Sequence, residues 1–534
     1  MIFWSKNNKL IQEFKTSWGK TKDVALKFEL IEHYHRKRDT SSALQVISDR
    51  TINDLDFYSL FSFTDRSNSS IGRQYLFDKL LTIGKFPEFE EQETLITHLS
   101  KNEENRLQSQ LILSKLNDEK AFYISWLFLE DFVNPPKYLI VIKLLSIISF
   151  LTFISSFLIP KLLVLLIGLF ATNLIFHYAN KKHIEMYSDS IPRLSLLCKC
   201  VRNLLKIGLP IKSVDLVVSS LKSIDELKNR IPIFSIEANQ NLDFISGLLH
   251  LLIEYIKIQF LLEPIIVFSV LKKLREKRTD IKNLFEYFGK IDSAISIASL
   301  RHGLKIYSKP KIDAKYDGLS FTDLYHPLIQ NCIPNSMNVN DKSILLTGSN
   351  MSGKTTFIRS VAINALFAQT INTCFASDFQ TSPLKILSAI RISDDVLSGK
   401  SYYFEEVLTI NEMIRESQSG LKTLFLLDEI FKGTNTVERI AAGKTVLSYI
   451  CKNGNIVFVS THDIELTSLL QKDYELSHFT EIVENGQVHF DYKLKNGELK
   501  TRNAIRILEI NGYPKELIEE AKELSNQIIG NTSK

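Results

Sequence analysis

A phosphate-binding loop at residues 346–356 is the feature that most constrains the fold of this chain. The segment reads Leu-Thr-Gly-Ser-Asn-Met-Ser-Gly-Lys-Thr-Thr and contains the frame G-x-x-x-x-G-K-[ST]. An apolar run precedes it and a helical pattern follows it, as this loop requires, because its backbone N–H groups and the positive end of the helix bind the same phosphate. The sequence therefore predicts an α/β domain that binds a nucleotide.

The residues of this loop have separate predicted tasks. Its glycines let the backbone curl around a phosphate, Lys354 reaches the terminal phosphates, and the hydroxyl of Thr355 is offered to Mg²⁺. The predicted cofactors are therefore ATP and Mg²⁺. The predicted nucleotide-binding residues are Gly348, Ser349, Asn350, Met351, Ser352, Gly353, Lys354, Thr355 and Thr356.

Two later apolar runs predict strands that end at the same edge of the sheet. The first ends in Asp428-Glu429, and the second is followed by His462. Asp428 suits the Mg²⁺ shell together with Thr355, and Glu429 suits the base that aligns or deprotonates the attacking water. His462 is placed to sense the γ-phosphate. We therefore predict an ATPase with Glu429 and His462 as catalytic residues.

Four motifs of the chain, in order, resemble those of the MutS mismatch-repair family. The family forms are TGPNMGGKST, DDLxxGxSTFMxEM, DEIGRGTST and ATHYxEL, and the matching segments are residues 347–356, 394–406, 428–436 and 460–466. The resemblance implies an ABC-type P-loop ATPase domain that forms a homodimer. It also implies that Ser401 reaches across the dimer to the nucleotide of the partner subunit.

The resemblance extends beyond the ATPase motifs. It covers the opening of the family's core domain, its lever segment, its approach to the phosphate loop and its terminal dimerisation helices, at residues 55–80, 291–298, 326–328 and 511–518. Only about fifty residues precede Leu55, so we expect the mismatch-recognition and connector domains to be missing. Residues 86–88 fit the letters of the mismatch wedge, but they lie in a polar linker. Cys332 falls where many members place an aromatic residue against adenine.

A long apolar segment interrupts the helical part of the chain. Residues 144–159 carry no charge, Pro160-Lys161 breaks the run, and residues 162–179 are apolar again. A bilayer core needs ~20 apolar residues as a helix, so we predict a transmembrane hairpin with helices at about 138–159 and 162–179. A pair of buried core helices is the alternative, but such helices normally show a polar stripe, which neither half has.

Lysines at both outer ends of this hairpin predict its orientation. They place both termini, and with them the ATPase domain, on the cytoplasmic side of a membrane. We predict a bacterial inner membrane, with the lipid bilayer as a partner of the chain.

The patterning predicts a multi-domain protein in which an α-helical core and lever domain is followed by the α/β domain. The predicted parts are an N-terminal helical segment (1–50), a first part of the core (51–135), the hairpin (138–180), a second part of the core with the lever (184–310), and the ATPase domain with C-terminal dimerisation helices (311–534). Asn-Gly pairs at 485–486 and 496–497 predict the turns of a β-meander before those helices.

Composition adds few constraints on partners. The 65 basic and 60 acidic residues leave a net charge of +5, which does not argue for nucleic acid. Basic runs at residues 20–38 and 272–278 are the candidates for contact with DNA phosphates. The five cysteines show no disulfide pattern and suit a reducing compartment, and Cys198-Lys199-Cys200 has the wrong spacing for a zinc site.

The leading prediction is a membrane-anchored ATPase that couples ATP hydrolysis to lever movement. The resemblance implies that it acts on mismatched or branched DNA, in mismatch repair or a related process. A membrane-associated signalling or assembly switch that does not bind DNA is the main alternative. A transport ATPase of the ABC type is a weaker one, because two spans cannot build a transport pathway and the Asn350-Met351 pair points away from that class.

Overall fold

The computed structural model describes residues 2–85, 89–131, 136–228, 244–349, 351–391, 402–484, 487–499, 504–510 and 512–532. They divide into two compact units. The first unit is formed by residues 1–40, 64–79 and 88–303, and the second by residues 41–63, 80–87 and 304–534. The chain is thus multi-domain, and it is mostly helical with mixed sheets in the second unit.

The helices in chain order are α1 (Ile2–Thr16), α2 (Phe28–Lys37), α3 (Asp49–Asp54), α4 (Phe57–Thr64), α5 (Ser70–Leu80), α6 (Glu90–Lys101), α7 (Glu103–Leu113), α8 (Trp126–Leu129), α9 (Leu139–Ser156), α10 (Leu162–Ile207), α11 (Val214–Lys228), α12 (Phe244–Gln259), α13 (Leu262–Leu274), α14 (Arg278–Gly303), α15 (Lys354–Ile371), α16 (Tyr402–Glu416), α17 (Thr436–Ile450), α18 (Glu465–Leu470), α19 (Ala504–Ile510) and α20 (Lys515–Thr532). Short 3₁₀ helices lie at Ser114–Leu116, Glu119–Ile124 and Arg275–Lys277.

The strands in chain order are β1 (Ala43–Val46), β2 (Thr82–Gly84), β3 (Lys311–Ile312), β4 (Leu319–Leu324), β5 (Asn335–Val339), β6 (Ser343–Thr347), β7 (Asp378–Thr381), β8 (Lys385–Ala389), β9 (Thr423–Asp428), β10 (Ile456–Ser460), β11 (Tyr474–His478), β12 (Glu481–Glu484), β13 (Gln487–Phe490) and β14 (Lys495–Asn496). They form a six-stranded sheet, a four-stranded sheet and two two-stranded sheets, β1-β2 and β12-β13.

The helical unit is organised around α14, most of whose residues are buried. Its buried Asp292 accepts hydrogen bonds from the backbone N–H of Asn68 at 2.8 Å and from the side-chain amide of Asn68 at 3.0 Å. Gly289 allows Tyr75 to approach, since an added Cβ would lie 2.6 Å from the Cβ of that tyrosine. Close packing and a satisfied buried carboxylate therefore hold the centre of this unit together.

The apolar segment forms two helices, α9 and α10, joined by a short turn. Helices at Leu139–Ser156 and Leu162–Lys181 are long and apolar enough to cross a membrane, and only 11 % and 17 % of these stretches are buried. The sequence predicts that the second helix ends near residue 179, but in the structure it does not. It runs on to Ile207, through Pro192, and ends at Gly208 with φ +72°. The apolar half and the polar half of α10 are therefore one continuous helix.

The six-stranded sheet of the second unit has the order β14-β11-β6-β10-β9-β8. All of its strands are parallel except β14, which pairs antiparallel with β11. The central strands β6, β9 and β10 are almost wholly buried, as a parallel sheet covered on both faces requires. Their carboxyl ends meet at one edge.

The second unit also takes in residues far upstream of the predicted ATPase boundary. Asp54, at the end of α3, accepts hydrogen bonds from the Ser388 hydroxyl at 2.6 Å and from the Arg391 backbone N–H at 2.7 Å. Asp56 binds Arg359 of α15 at 3.0 Å. Residues 41–63 thus attach to the edge strand β8 and to the helix that follows the phosphate loop.

The two Asn-Gly pairs have different outcomes. Strands β12 and β13 form an antiparallel hairpin around residues 485–486, which lie outside the described residues. The second pair was wrongly predicted as a turn between consecutive strands, because Lys495 and Asn496 themselves form β14 and pair with β11. Gly497, with φ +90°, donates its N–H to Leu476 at 2.8 Å, so it continues this pairing.

Candidate active site

The phosphate loop connects the buried strand β6 to α15 through two glycines in unusual conformations. Gly348 has φ +146°, and an added Cβ would lie 2.6 Å from the Phe479 carbonyl oxygen and 2.9 Å from the Ser352 hydroxyl. Gly353 has φ +104° and immediately precedes the first residue of α15. Both positions require glycine. The loop therefore wraps the N-terminus of α15, where anions bind.

Lys354 lies inside this loop. Its Nζ donates to the carbonyl oxygens of Gly348 and Ser349, both at 2.8 Å, and its side chain is buried. Burial lowers the pKa of Lys354, and the nearby carboxylates of Asp428 and Glu429 oppose this shift. The ammonium group is therefore held at the mouth of the loop, next to the acidic end of β9.

The two predicted metal ligands lie side by side. The Thr355 hydroxyl donates to Oδ2 of Asp428 at 2.6 Å, and the Ser460 hydroxyl contacts Oδ1 of the same carboxylate. Mg²⁺ prefers hard oxygen ligands, and it is usually bound by one or two carboxylates with waters and phosphates completing its shell. Among the described residues no group of three or more His, Cys, Asp or Glu forms a metal site. The pair of oxygens fits Mg²⁺ brought in with a nucleotide.

The predicted catalytic residues also contact one another. Glu429 has φ +54°, and its N–H donates to the Ser460 carbonyl at 2.9 Å. Its carboxylate contacts Nε2 of His462 and lies 2.7 Å from Nζ of Lys432. The hydrogen bond from His462, supported by Lys432, lowers the pKa of Glu429 to about 2. Glu429 is thus ionised, and a histidine and a lysine fix its position.

The segment that carries His462 is attached to its neighbours on both sides. The N–H of Thr461 donates to the Leu346 carbonyl of β6 at 3.0 Å. Asp463 forms a bidentate ion pair with Arg439 of α17, at 2.9 and 2.7 Å. Such paired contacts fix orientation as well as charge. The imidazole is therefore held between the phosphate loop strand and α17.

A buried carboxylate that the sequence analysis did not single out supports the backbone beside Glu429. Glu406 of α16 is fully buried and accepts the N–H of Phe431, which has φ +59°. Burial raises the pKa of Glu406, and the hydrogen bond from Phe431 opposes this shift. The family motif ending in MxEM contained the signal, since the Glu of MxEM falls at this position. Glu406 thus links α16 to the loop after β9.

A cavity of about 560 Å³ opens beside the phosphate loop. One wall is the loop with Lys354 and Thr355, and the other includes Ile329, Cys332 and Tyr492. A volume of this size is in the usual range for a small-molecule site. Cys332, which the resemblance aligns with an aromatic position of the family, lines this cavity. Tyr492, which the sequence analysis missed because it lies far along the chain in an irregular segment, supplies an aromatic ring at the cavity wall.

The remaining predicted residues are placed as follows. The Ser349 hydroxyl donates to Glu481 at 2.9 Å, and the Ser352 hydroxyl donates to the Ser349 carbonyl at 2.8 Å. Met351 is exposed and Thr356 half-buried, and both line the cavity. Asn350 and Ser401 lie outside the described residues.

Comparisons with known proteins show what the chain is similar to. Residues 344–529 match the family MutS domain V. The chain is 31 % identical over 285 residues to the DNA mismatch repair protein MutS of Clostridium novyi, which covers 50 % of this chain and 31 % of the relative. The protein of the same name from Clostridium tetani is 31 % identical over 254 residues, which covers 45 % and 28 %. The match places residues 344–529 of the chain in the MutS family.

The match to MutS domain V begins inside β6 and includes the ends of β9 and β10. It therefore contains the phosphate loop, Asp428, Glu429 and His462. It leaves α9, α10 and the helical unit outside. The chain spans about a third or less of the length of the MutS relatives compared above.

Proposed function

We propose that the chain is a membrane-anchored MutS-family ATPase that dimerises and converts ATP hydrolysis into movement of its helical levers. One observation carries the ATPase part. Thr355 contacts Asp428, and Glu429 contacts His462, at the carboxyl edge of parallel strands beside a glycine-lined loop. These pairs are the parts that phosphoryl transfer to water requires, brought together at one place.

Nucleotide binding begins with the loop and the cavity. The backbone N–H groups of the loop and the N-terminus of α15 bind the phosphates, and Lys354 turns its ammonium group from the loop carbonyls to the terminal phosphates. The adenine ring of ATP lies in the cavity, against Ile329, Cys332 and Tyr492. Tyr492 takes the aromatic role at the base, since the thiol of Cys332 offers no ring to stack on.

Thr355 and Asp428 would hold Mg²⁺, which supplies charge to the phosphates when it is bound. The fit rests on the contact of their two oxygens at 2.6 Å. Ser460 contacts the same carboxylate. It thereby keeps Asp428 turned towards the loop.

Glu429 orients the attacking water. Its pKa of about 2 keeps it ionised throughout the physiological range. So low a pKa makes it a weak proton acceptor, so its main task is to position the water through a charge-assisted hydrogen bond. His462 fixes the carboxylate and faces the site of the terminal phosphate. In this proposal, Glu429 and His462 contribute to hydrolysis by positioning the attacking water. Early proton transfer from the water to Glu429 contributes less.

The membrane part of the proposal rests on α9 and the apolar half of α10. Their apolar side chains are largely exposed, which in water would leave a large hydrophobic patch. A two-helix anchor in a bacterial inner membrane covers this surface. Lys137, Lys181 and Lys182 then lie on the cytoplasmic side with the ATPase domain.

DNA is the proposed binding partner because the relatives are named DNA mismatch repair proteins. The basic run at residues 20–38 gives this little support. His33, Lys37, His35 and Arg38 contact Glu130 or Asp78, and Arg36 contacts Glu32. These intramolecular pairs use much of the positive charge that phosphates would need. They favour, as a second candidate, a membrane-associated ATP-driven switch that does not bind DNA.

The two candidates are separated by the ATPase rate of the detergent-solubilised protein with and without DNA. Plain, mismatched and branched duplexes are added at low salt, where phosphate contacts are strongest. We expect stimulation by at least one of them, and Lys354→Ala should abolish both the basal and the stimulated rate. An unchanged rate, together with no retention of DNA in filter binding, favours the switch. An ATP-driven uptake of solutes by vesicles would instead indicate a transporter.

A further inference from the structure

A third apolar helix lies beside the proposed membrane hairpin. The rings of Phe170 on α10 and Tyr255 on α12 stack with centroids 5.2 Å apart. Phe260, just after α12, packs against Phe150 and Phe153 of α9, at 6.1 and 5.9 Å. Phe170 and Phe150 lie in the interior of the two candidate spans, and Phe153 lies one helical turn before the end of the first. The end of α12 is therefore at the same depth as the interior of the hairpin.

One amide ties α12 to both helices of the hairpin. The Nδ2 atom of Asn173 on α10 donates to the Ser149 hydroxyl of α9 at 2.9 Å and to the Gln259 carbonyl of α12 at 2.6 Å. All three residues are fully buried. The helix ends at Gln259, and Leu261 follows with φ +47°, so the last carbonyls lack partners within the helix. Asn173 caps one of them.

Such a contact is suited to lipid. Without water, every backbone carbonyl must find a partner inside the protein, and polar side chains commonly join membrane helices. The pairs Phe170–Tyr255 and Asn173–Gln259 follow the same order along both helices. Helix α12 thus runs parallel to α10.

The outward side of α12 continues the apolar surface of the hairpin. Leu251, Leu252, Tyr255 and Ile256 are exposed, Leu251 to 68 %. The acidic Glu254 and the basic Lys257 of this helix form an ion pair with each other at 3.0 Å. Leaving four large apolar side chains in water would forgo roughly 25 cal/mol for every Å² that lipid could cover.

We propose that α12 is embedded in the acyl-chain region of the bilayer, so that the anchor is a three-helix unit joined by Asn173. This inference rests on the proposed membrane anchoring of α9 and α10. The 16 residues of α12 make a helix of ~24 Å, shorter than the ~30 Å hydrocarbon core. At this length α12 cannot cross the hydrocarbon core by itself, and α13 continues the chain after the break at Leu261.

The test uses the full-length protein in phosphatidylethanolamine–phosphatidylglycerol vesicles. A photoreactive benzophenone amino acid replaces one residue at a time, and lipid adducts are detected by mass spectrometry after irradiation. Leu251 is the test position. Val164 on the hairpin, 75 % exposed, is the positive control, and Leu216 on α11, 54 % exposed, is the matched control outside the proposed anchor.

We expect phospholipid adducts at Leu251 and Val164 and none at Leu216. Adducts at Val164 alone overturn the three-helix anchor but leave the hairpin anchor standing. Adducts at neither position overturn the membrane anchoring itself, and with it this inference. Crosslinked dimers at Leu251 in place of lipid adducts would show that a second copy of the chain covers α12, and would also overturn it.

A second variant tests the role of Asn173. Asn173→Ala removes the two hydrogen bonds of the amide and leaves only the ring contacts between α12 and the hairpin, so the lipid adduct at Leu251 should fall relative to the adduct at Val164. The retained signal at Val164 shows that the variant still folds and inserts. An undiminished adduct at Leu251 in this variant would refute the joining role of the amide.

Discussion

At the scale of single residues, the proposed binding of ATP and its proposed hydrolysis use different parts of the candidate site. Lys354 lies inside the phosphate loop, whereas Glu429 lies beyond it and is held by His462 and Lys432. The positive charge of Lys354 is needed whenever a nucleotide is bound. The negative charge of Glu429 matters mainly when water attacks the terminal phosphate.

Lys354→Ala and Glu429→Gln should therefore fail in different ways. The first removes the ammonium group and should abolish nucleotide binding. The second keeps the shape of the side chain but removes its charge, so ATP should bind and remain unhydrolysed, with kcat reduced by about 100-fold or more. Binding of a fluorescent ATP analogue and phosphate release measure the two effects. An equal loss of binding in both variants would contradict the assigned roles.

The pKa of Glu429 gives a prediction for pH. Its value of about 2 is depressed, so the stabilisation from its ion pair is complete above the unfolded-state pKa of about 4.3 and is lost as the pH falls towards 2. His462→Ala removes the main cause, so the pKa of Glu429 should rise. The acid limb of kcat should then move to higher pH than in the wild type. Profiles of kcat from about pH 3 to 8 test this, and a His462→Ala profile as flat on the acid side as that of the wild type would exclude the coupling.

At the scale of elements, α16 supports the backbone after β9 through one buried carboxylate. Glu406 accepts the N–H of Phe431, two residues beyond Glu429. The segment 392–401, with Ser401, lies just before α16 and outside the described residues. A shift of α16 would therefore alter the position of Glu429 through this hydrogen bond.

Replacing Glu406 tests this connection. Glu406→Ala leaves a buried N–H unpaired, at a cost of ~1–3 kcal/mol, and should lower kcat about tenfold with little change in KM. Glu406→Gln keeps an acceptor oxygen and should restore most of the rate. Glu412→Ala on the same helix removes only an exposed ion pair with Arg50 and serves as the control. A loss of stability with unchanged kcat in the folded Glu406→Ala protein would mean that the carboxylate is only structural.

The hairpin makes a prediction at the same scale. Residues 139–180 should keep the protein in membranes during a carbonate wash, because two apolar helices of near-spanning length are covered by lipid. Introducing two arginines at the exposed positions Ile147 and Ile167 should release it, since charge in the hydrocarbon core costs several kcal/mol. Arginines at the exposed Lys120 and Lys199, outside the spans, are the control. Recovery of the wild-type protein in the soluble fraction would make the helices part of a protein interface instead.

At the scale of the whole molecule, the proposed homodimer shares its two nucleotide sites. The resemblance assigns Ser401 to the site of the partner subunit. A mixture of Ser401→Ala and Lys354→Ala proteins should therefore recover part of the ATPase activity, because one of the two composite sites in a mixed dimer is intact. Native mass spectrometry establishes that mixed dimers form. No recovery where they do form would rule out sharing of the sites.

The sequence alone determined the parts that local patterns encode. The phosphate loop, the acidic end of β9, the position of His462 and the apolar hairpin each lie within a short stretch of chain. Their residue types follow from backbone geometry, from the ligands that phosphate and Mg²⁺ require, or from the absence of a polar stripe. The alignment of strand ends followed from the rule for parallel sheets. The contacts of Thr355 with Asp428 and of Glu429 with His462 agree with that prediction.

Only the tertiary structure decided which distant surfaces are buried together. Residues 41–63 join the second unit because the carboxylate of Asp54 accepts hydrogen bonds from the backbone N–H groups of Ile390 and Arg391, just after β8. Helix α10 continues past the predicted end of the hairpin and through Pro192 to Ile207, so its apolar and polar halves form one helix. Glu406, Tyr492 and α12 act through contacts between segments far apart in sequence. Local periodicity carries no record of such partners, because complementary surfaces become neighbours only when the chain has folded.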